Sequence, residues 1–300
     1  MSSLAALTKN TEMIPPSAEA NSPVVQALTG EHMKEVFSFL AARPIHTVYM
    51  VGLIRDNGLV NPLNRGTFYG CRNGSGELEG VGLIGHATLF ETRSDAALAA
   101  LAKIAQSYPR AHLVFGEREK IEEFWRHFSK SGSRPRLLSR EILLEMSWPM
   151  AVHEPIAGLR RATLEDLALI MPVHAQMAFD ESGVNPSELD PIGFRLRCAR
   201  RIEQGRVWVW IENGRLLFKA DVVSDTPEVV YLEGIYVNPE ERQKGIGFRC
   251  LSQLSRQLLA HTRSIGVVAN EQNMGAVKLY ERAGFKLQGC YDTIFLQTST

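Results

Sequence analysis

Two turn signals set the frame of this chain. Asn73-Gly74-Ser75-Gly76 separates two extended runs, and Asn213-Gly214 separates RVWVWIE from RLLFKADVV. An Asn-Gly pair between such runs is the strongest short-range hairpin signal, because both central residues of the favoured turn need positive φ. Around each hairpin the predicted elements follow one order: helix, hairpin, strand, helix, strand, helix, strand. In the first half, Met33, Val36, Phe37 and Leu40 fall at helical spacing. After the hairpin come the strand HATLFE, a helix over 95–107, the strand HLVFG, a helix from Glu117 to Gly132, and the strand RLLSREILLEMSW. In the second half, Thr163-Leu-Glu-Asp166 sets an N-cap residue three positions before an acid. Helices are predicted over 190–203, 246–261 and 273–283, and strands over EVVYLEGIYV, IGVVAN and KLQGCYDTIFLQ.

The halves also match locally. GCRNGSGELEGVGLIG parallels WIENGRLLFKADVV, and IEEFWRHFSKSG parallels AVKLYERAGF. We read an internal duplication of one α/β unit of roughly 140 residues. PMAVHEPIAG, at 149–158, interrupts the periodic segments with two prolines and a glycine. The expected organisation is an N-terminal arm over 1–23, a first unit over 24–150 and a second over 158–300. The expected fold class is α/β (α+β), each unit a mixed, mainly antiparallel sheet flanked by helices.

Composition removes several classes. Lys+Arg and Asp+Glu both number 33, so the formal net charge is zero. That balance leaves no global footprint for nucleic acid or an anionic membrane. No apolar run approaches the roughly 18 residues of a membrane span. The N-terminus does not read as a signal peptide, and the four cysteines form no CxxC pair. The expectation is a cytoplasmic protein with reduced thiols. The eight histidines show no HExxH spacing, and no metal site is expected.

The segment Glu233-Gly-Ile-Tyr-Val-Asn-Pro-Glu-Glu-Arg242-Gln-Lys-Gly245-Ile-Gly247 carries the sharpest chemical signal. A strand runs through a short loop into a helix. Such a junction leaves backbone N–H groups free at the positive end of the helix dipole, and the glycines let an anion approach. This is the physics of a pyrophosphate cradle. The Walker A pattern is absent, and Cys250 stands where a dinucleotide fingerprint needs its third glycine.

Arg-x-x-Gly-x-Gly after a strand resembles the acetyl-CoA motif of the GCN5-related N-acetyltransferase (GNAT) family. Asn273-Met-Gly-Ala276-Val-Lys-Leu-Tyr280-Glu-Arg-Ala-Gly284-Phe285 is similar to that family's second signature, at the usual place after the fifth strand. The resemblance covers about residues 158–297. The whole chain looks like two-domain members in which a degenerate copy precedes an active one, and the segment Phe218-Lys219-Ala220-Asp221 fits that subgroup. The resemblance implies acyl transfer from acetyl-CoA to a primary amine, small or peptidic, with no nucleic acid, membrane or metal involved. It implies that the amides of Gln243, Lys244, Gly245, Ile246 and Gly247 bind the CoA pyrophosphate. Arg242 would hold the loop or touch phosphate. Ile235, Tyr236 and Val237 would hydrogen-bond the pantetheine arm, and Asn273 would fix the loop beside it. Tyr280 would protonate the leaving thiolate.

Direct attack needs a neutral amine, and an alkylammonium with a pKa near 10.4 is almost wholly charged at pH 7. A base must therefore act, and Glu233 is the candidate. Strict alternation puts Tyr231, Glu233 and Ile235 on one strand face. Val268 stands on the next strand where some protein N-terminal acetyltransferases of the family carry a carboxylate. Asp180, Glu181 and Asp190 are expected on a loop, and Arg195, Arg197, Arg200, Arg201 and Arg206 on a solvated helix face. The first half lacks the glycine motif: Thr92-Arg93-Ser94-Asp95 leads directly into a helix, which predicts a catalytically silent copy that shapes the substrate cleft. The alternatives are an acyl-CoA-binding sensor without turnover, and an acyltransferase for a longer acyl-CoA or a peptide acceptor. Oligomeric state is not legible.

Overall fold

The computed structural model describes residues 23–108, 110–132, 134–149 and 154–297. The predicted arm falls almost entirely outside these residues, as does the centre of the predicted boundary. The first half runs β1 (Val24–Ala27), α1 (Met33–Leu40), α2 (Pro44–Asn57), β2 (Gly66–Arg72), β3 (Leu78–Gly85), β4 (Ala87–Thr92), α3 (Asp95–Ala105), β5 (Leu113–Glu117), α4 (Arg118–Phe128) and β6 (Pro135–Met146). The second runs β7 (Leu159–Arg161), α5 (Leu167–Ser182), α6 (Pro186–Leu189), α7 (Pro191–Glu203), β8 (Val207–Glu212), β9 (Arg215–Asp225), β10 (Val229–Val237), α8 (Ile246–Leu258), β11 (Ser264–Asn270), α9 (Met274–Ala283) and β12 (Lys286–Leu296).

Local chemistry explains most boundaries. Asn213 and Gly214 both take positive φ, 50° and 72°, and close the β8–β9 hairpin. Thr163 and Asp166 form the reciprocal capping box before α5. Gly284 ends α9 in the left-handed region. The helix α2 is absent from the sequence reading. PIHTVYMVGLIRDN buries residues on every side, from Ile45 and Val48 to Met50 and Ile54, because it lies between the first half's own core and the strands β9 and β10. A helix covered all round has no amphipathic period to read.

Among the described residues all strands join one twelve-stranded sheet in the order β1-β2-β3-β4-β5-β12-β6-β11-β10-β9-β8-β7. The halves therefore exchange their last strands. β12 pairs antiparallel with β5, and β6 fills the place between β11 and β12. Leu144 and Met146 of β6 enter the core built mainly by β9, β10, α8, β11 and α9. Ile294 and Leu296 of β12 enter the core beneath α3 and α4. Further contacts tie the halves together. Ser224 of β9 donates to the Val48 carbonyl of α2 at 2.7 Å, and Arg206 pairs with Asp56.

The exchange makes the second half dependent on the first. A fragment of residues 154–300 exposes the β11 and β12 edges that β6 covers, and bare edges associate. Size-exclusion chromatography and circular dichroism are expected to find it aggregated or unfolded. Co-expression with residues 1–149 is expected to yield a soluble two-piece complex. A fragment that melts cooperatively as a monomer contradicts the exchange.

Candidate active site at the gap between two parallel strands

β10 and β11 pair in parallel only from Val229–Ser264 to Leu232–Val267. Beyond that point they part. β11 continues along β6 as far as Asn270, opposite Glu141. β10 meets a bulge: Glu233 faces Asp221 and Tyr236 faces Lys219, so two residues of β10 oppose one of β9. Gly234, with φ of 58°, makes the bend. Among the described residues no strand pairs with Glu233–Val237 on the β11 side, so this edge is open to an extended ligand.

The bulge corrects the alternation expected from the sequence. Val230 and Leu232 share the α8–α9 core, and Ile235 and Val237 pack on that same core. Tyr231 lies on the opposite face against α2, and Tyr236 packs toward α5 and α7. Ile235 thus does not share the face of Tyr231 and Glu233, because the extra residue inverts the register.

The loop after β10 is built as a brace and a cradle. Asn238 accepts from the Glu240 N–H and donates to the Leu216 carbonyl. The Nε of Arg242 donates to the Val237 carbonyl at 3.2 Å, which ties the loop back to the strand. Lys244 pairs with Glu241 at 3.0 Å. Gln243 and Gly245 take positive φ, 63° and 80°. Gly245 is the N-cap of α8 and offers no side-chain cap. Among the described residues the N–H groups of Gln243, Lys244 and Gly245 have no partner, and those of Ile246 and Gly247 open the helix. A Cβ at Gly247 would lie 2.8 Å from Val237, so only glycine lets the helix sit this close to β10.

Tyr280 is buried in the core shared with Ile235, Val237 and Ile246. It stacks edge-on against Phe285, and among the described residues its hydroxyl has no hydrogen-bond partner. Burial pushes that hydroxyl well above the usual tyrosine value, so it stays protonated as a donor. Asn273 caps α9 by accepting from the Ala276 N–H at 3.1 Å.

Glu233 stands on the other face of β10. It reaches solvent, yet protein crowds it on the remaining sides. That crowding pushes its carboxyl up to about 7; Arg201 and Lys219 oppose the rise, and Glu181 and Asp221 add to it. Glu141, brought by β6, accepts from Thr293 at 2.9 Å and from Ser139 at 3.0 Å, and burial pushes it up to about 7. Glu181 also reaches solvent, yet crowding by the protein around it and the nearby Glu141 push it up to about 7 as well. A cleft of about 450 Å³ opens here, lined by Ser139 and Arg140 of β6, Asp180 and Glu181 of α5, and Asn270 with its two successors.

The structure thus brings together Glu233, Ile235–Val237 and Arg242–Gly247, with Tyr280 behind them. It moves other residues. Asp180 and Glu181 lie in the last turn of α5, not on a loop. Asp190 does lie between two helices as expected, and there it caps α7 and pairs with Arg197. Arg200, Arg201 and Arg206 do not form a solvated face: they bond Asn57, Asp221 and Asp56. Glu141 escaped sequence reading altogether, because only the exchanged strand places it here.

The first half has the corresponding gap between β4 and β5, which pair only from Ala87–Leu113 to Leu89–Phe115. Its own side chains bridge it. Arg43 contacts Glu117 at 2.6 Å and Glu91 at 3.1 Å, and Lys120 lies 2.9 Å from both acids. Ser94 caps α3 by accepting from the Ala97 N–H, and Asp95 occupies the first turn. The Ala97 amide is thus already taken, and the Asp95 carboxylate sets a negative charge at the head of α3 where an anion would otherwise be favoured.

Residues 174–285 match the family model described as the acetyltransferase (GNAT) family. A search among curated proteins returns no match. Solved structures share the fold at low identity. A Drosophila protein superposes with a TM-score of 0.66 at 14% identity, covering 92% of this chain and 99% of its own. A GCN5-related N-acetyltransferase from Sphaerobacter thermophilus gives 0.56 at 14% identity, covering 94% and 96%. A tandem GNAT protein from the clavulanic acid biosynthesis pathway gives 0.56 at 14% identity, covering 91% and 98%.

Burial of Glu141 has a signed consequence for stability. Its folded carboxyl holds a proton up to about pH 7, whereas an unfolded glutamate releases it near its usual 4.5. Its contribution is therefore fully present below about pH 4.5 and is lost as pH rises toward 7. Glu141→Gln is expected to raise the melting temperature at pH 8 and leave it nearly unchanged at pH 5. A variant destabilised more at pH 8 than at pH 5 contradicts this burial.

Proposed function

We propose that this chain is an acyltransferase that transfers the acetyl group of acetyl-CoA to a small primary amine by direct attack, a reading supported by the match of residues 174–285 to the acetyltransferase (GNAT) family model. One observation carries the reading: unpaired loop amides lie next to an open strand edge, with a titratable carboxylate and a buried phenol on either side of that strand. The amides of Gln243–Gly247 would bind pyrophosphate at the positive end of α8, and Arg242 holds their loop. Ile235–Val237 would bond the pantetheine amides along the free edge. Asn273 shapes the start of α9, and Tyr280 hangs from that helix.

Glu233 and Tyr280 have the protonation states that the reaction needs. A carboxyl titrating near 7 is part ionised at neutral pH and can take the proton of an ammonium, directly or through water. A phenol kept protonated by burial can donate to the departing sulfur. The acceptor side supports an amine. A cleft of about 450 Å³ lies within the ~300–1,000 Å³ of small-molecule sites. Asp180 and Glu181 face it against Arg140, while the Glu271 carboxylate is already paired with Arg118.

Thiol release from acetyl-CoA, followed across a panel of primary amines, tests the reading. The rate is expected to rise with pH through about 7, as Glu233 loses its proton. Glu233→Gln is expected to lose about 10²–10⁴-fold in kcat/KM and that pH limb with it. Tyr280→Phe is expected to lower kcat by about 10-fold or more with little change in acetyl-CoA binding. Tight acetyl-CoA binding with no turnover on any amine would leave an acyl-CoA-binding module in place of an enzyme.

A further inference from the structure

The segment Phe218–Asp221 holds two charged residues that the chemistry above does not use. Lys219 and Asp221 are fully buried, and their side chains meet at 2.7 Å. Asp221 also receives His174 of α5 at 3.1 Å and Arg201 of α7 at 3.3 Å. Burial works against ionised Asp221, yet Lys219, His174 and Arg201 outweigh it and hold the carboxyl well below its usual range. Burial, reinforced by Lys219, keeps His174 below its own usual value.

Burying such a network is rarely the cheapest way to fill space. Apolar residues of similar volume are often as stable or more so, which points to a role other than stability. Its position suggests one. Asp221 is the register partner of Glu233, and Lys219 that of Tyr236, so the pair spans the bulge in β10. A Cβ at Gly234 would stand 2.8 Å from the Lys219 Nζ and 2.9 Å from an Asp221 oxygen. The ion pair therefore occupies the space that glycine leaves at the bend. One Asp221 oxygen, Oδ1, has no hydrogen-bond partner among the described residues, so bonding demand is left over beside the bulge.

We infer that Lys219 and Asp221 are positioning residues for Glu233: with Arg201 and His174 they form an ion network, packed into the Gly234 bulge, that fixes the Glu233 carboxylate at the bulge and sets the charge it faces. The inference rests on the reading of Glu233 as the base. The formal charges of Lys219 and Arg201 exceed that of Asp221 by one, and this excess opposes the other groups around Glu233. Those are Glu181 of α5, Glu141 of β6, Tyr231 of β10 itself and Tyr49 of α2, none of them cationic. The network thus keeps Glu233 from rising out of the neutral range, where it could no longer serve as a base at physiological pH.

The test reads Glu233 directly. Protein labelled with ¹³C at the glutamate carboxyls is titrated by NMR, and the Glu233 resonance is assigned by its loss in Glu233→Gln. Lys219→Met is expected to move the Glu233 midpoint up by about one pH unit, and Asp221→Asn to move it down by a similar amount. A purely structural role gives no such opposition of sign. Midpoints that stay put, or that move the same way in both variants, overturn the inference. Should either buried variant fail to fold, Arg201→Gln decides, because that side chain is about one-third exposed. Its expected shift is upward, and an unmoved midpoint overturns the inference. Amine-dependent thiol release by Glu233→Gln is measured in parallel. Full activity there sinks the base reading, whatever the NMR midpoints show. Lost activity with unmoved midpoints sinks the network alone.

Discussion

The place of β6 between β11 and β12 is the constraint on which the candidate site depends. β11 must leave β10 for a gap to open, and an isolated strand end in that gap would carry unpaired backbone groups on both sides. β6 removes the problem by pairing with β11 from Ile265–Met146 to Asn270–Glu141, through and beyond the point where β10 departs. The same strand carries Ser139 to the cleft and, hydrogen-bonded to it, the buried Glu141. The first half contributes from another direction as well, since Tyr49 of α2 lies edge-on to Tyr231. The chain is therefore better seen as one sheet with two gaps than as a finished catalytic domain with an appendage.

Those two gaps share a backbone plan and differ in charge. At the first, Glu91 and Glu117 are matched by Arg43 and Lys120, and the ions hold the strands' ends together. At the second, Glu233, Glu181 and Glu141 crowd one another and are all pushed up to about 7. A closed ion network holds its charges matched, whereas neighbouring carboxyls compete for protons, the condition that the proposed base at Glu233 requires. The helix ends differ in the same sense. Ser94 satisfies an amide of α3 from within the chain, whereas Gly245 leaves the amides of α8 for a ligand.

Much of this was legible in the sequence, and the failures have physical causes. Turn chemistry at Asn213-Gly214, the box at Thr163–Asp166 and the glycine-rich junction at Arg242–Gly247 are local, so they read correctly from local residues. The helix α2 was missed because burial on all sides erases its period. The strand exchange was missed because each β6-like strand has the same pattern wherever it inserts. The bulge at Gly234 broke a rule that holds for regular strands, and so Ile235 was placed on the wrong face. The residues around Glu181 carry no signal that extends α5 to it, and Glu141 carries none at all, since its position arises only from the exchanged strand of the other half. The loop and Tyr280 are found where the motifs implied, while their roles in binding and proton transfer remain the reading argued above.

The central claim is that acetyl-CoA binds at the β10–α8 junction of the second half. Calorimetric titration of the intact protein with acetyl-CoA, repeated on Gly247→Trp, tests it most directly, because a side chain there meets Val237 within the cradle itself. The account predicts micromolar binding, about −8 kcal/mol, that is lost in the variant while the fold persists by circular dichroism. Absence of binding in the unaltered protein, or binding that survives in the folded variant, would contradict it.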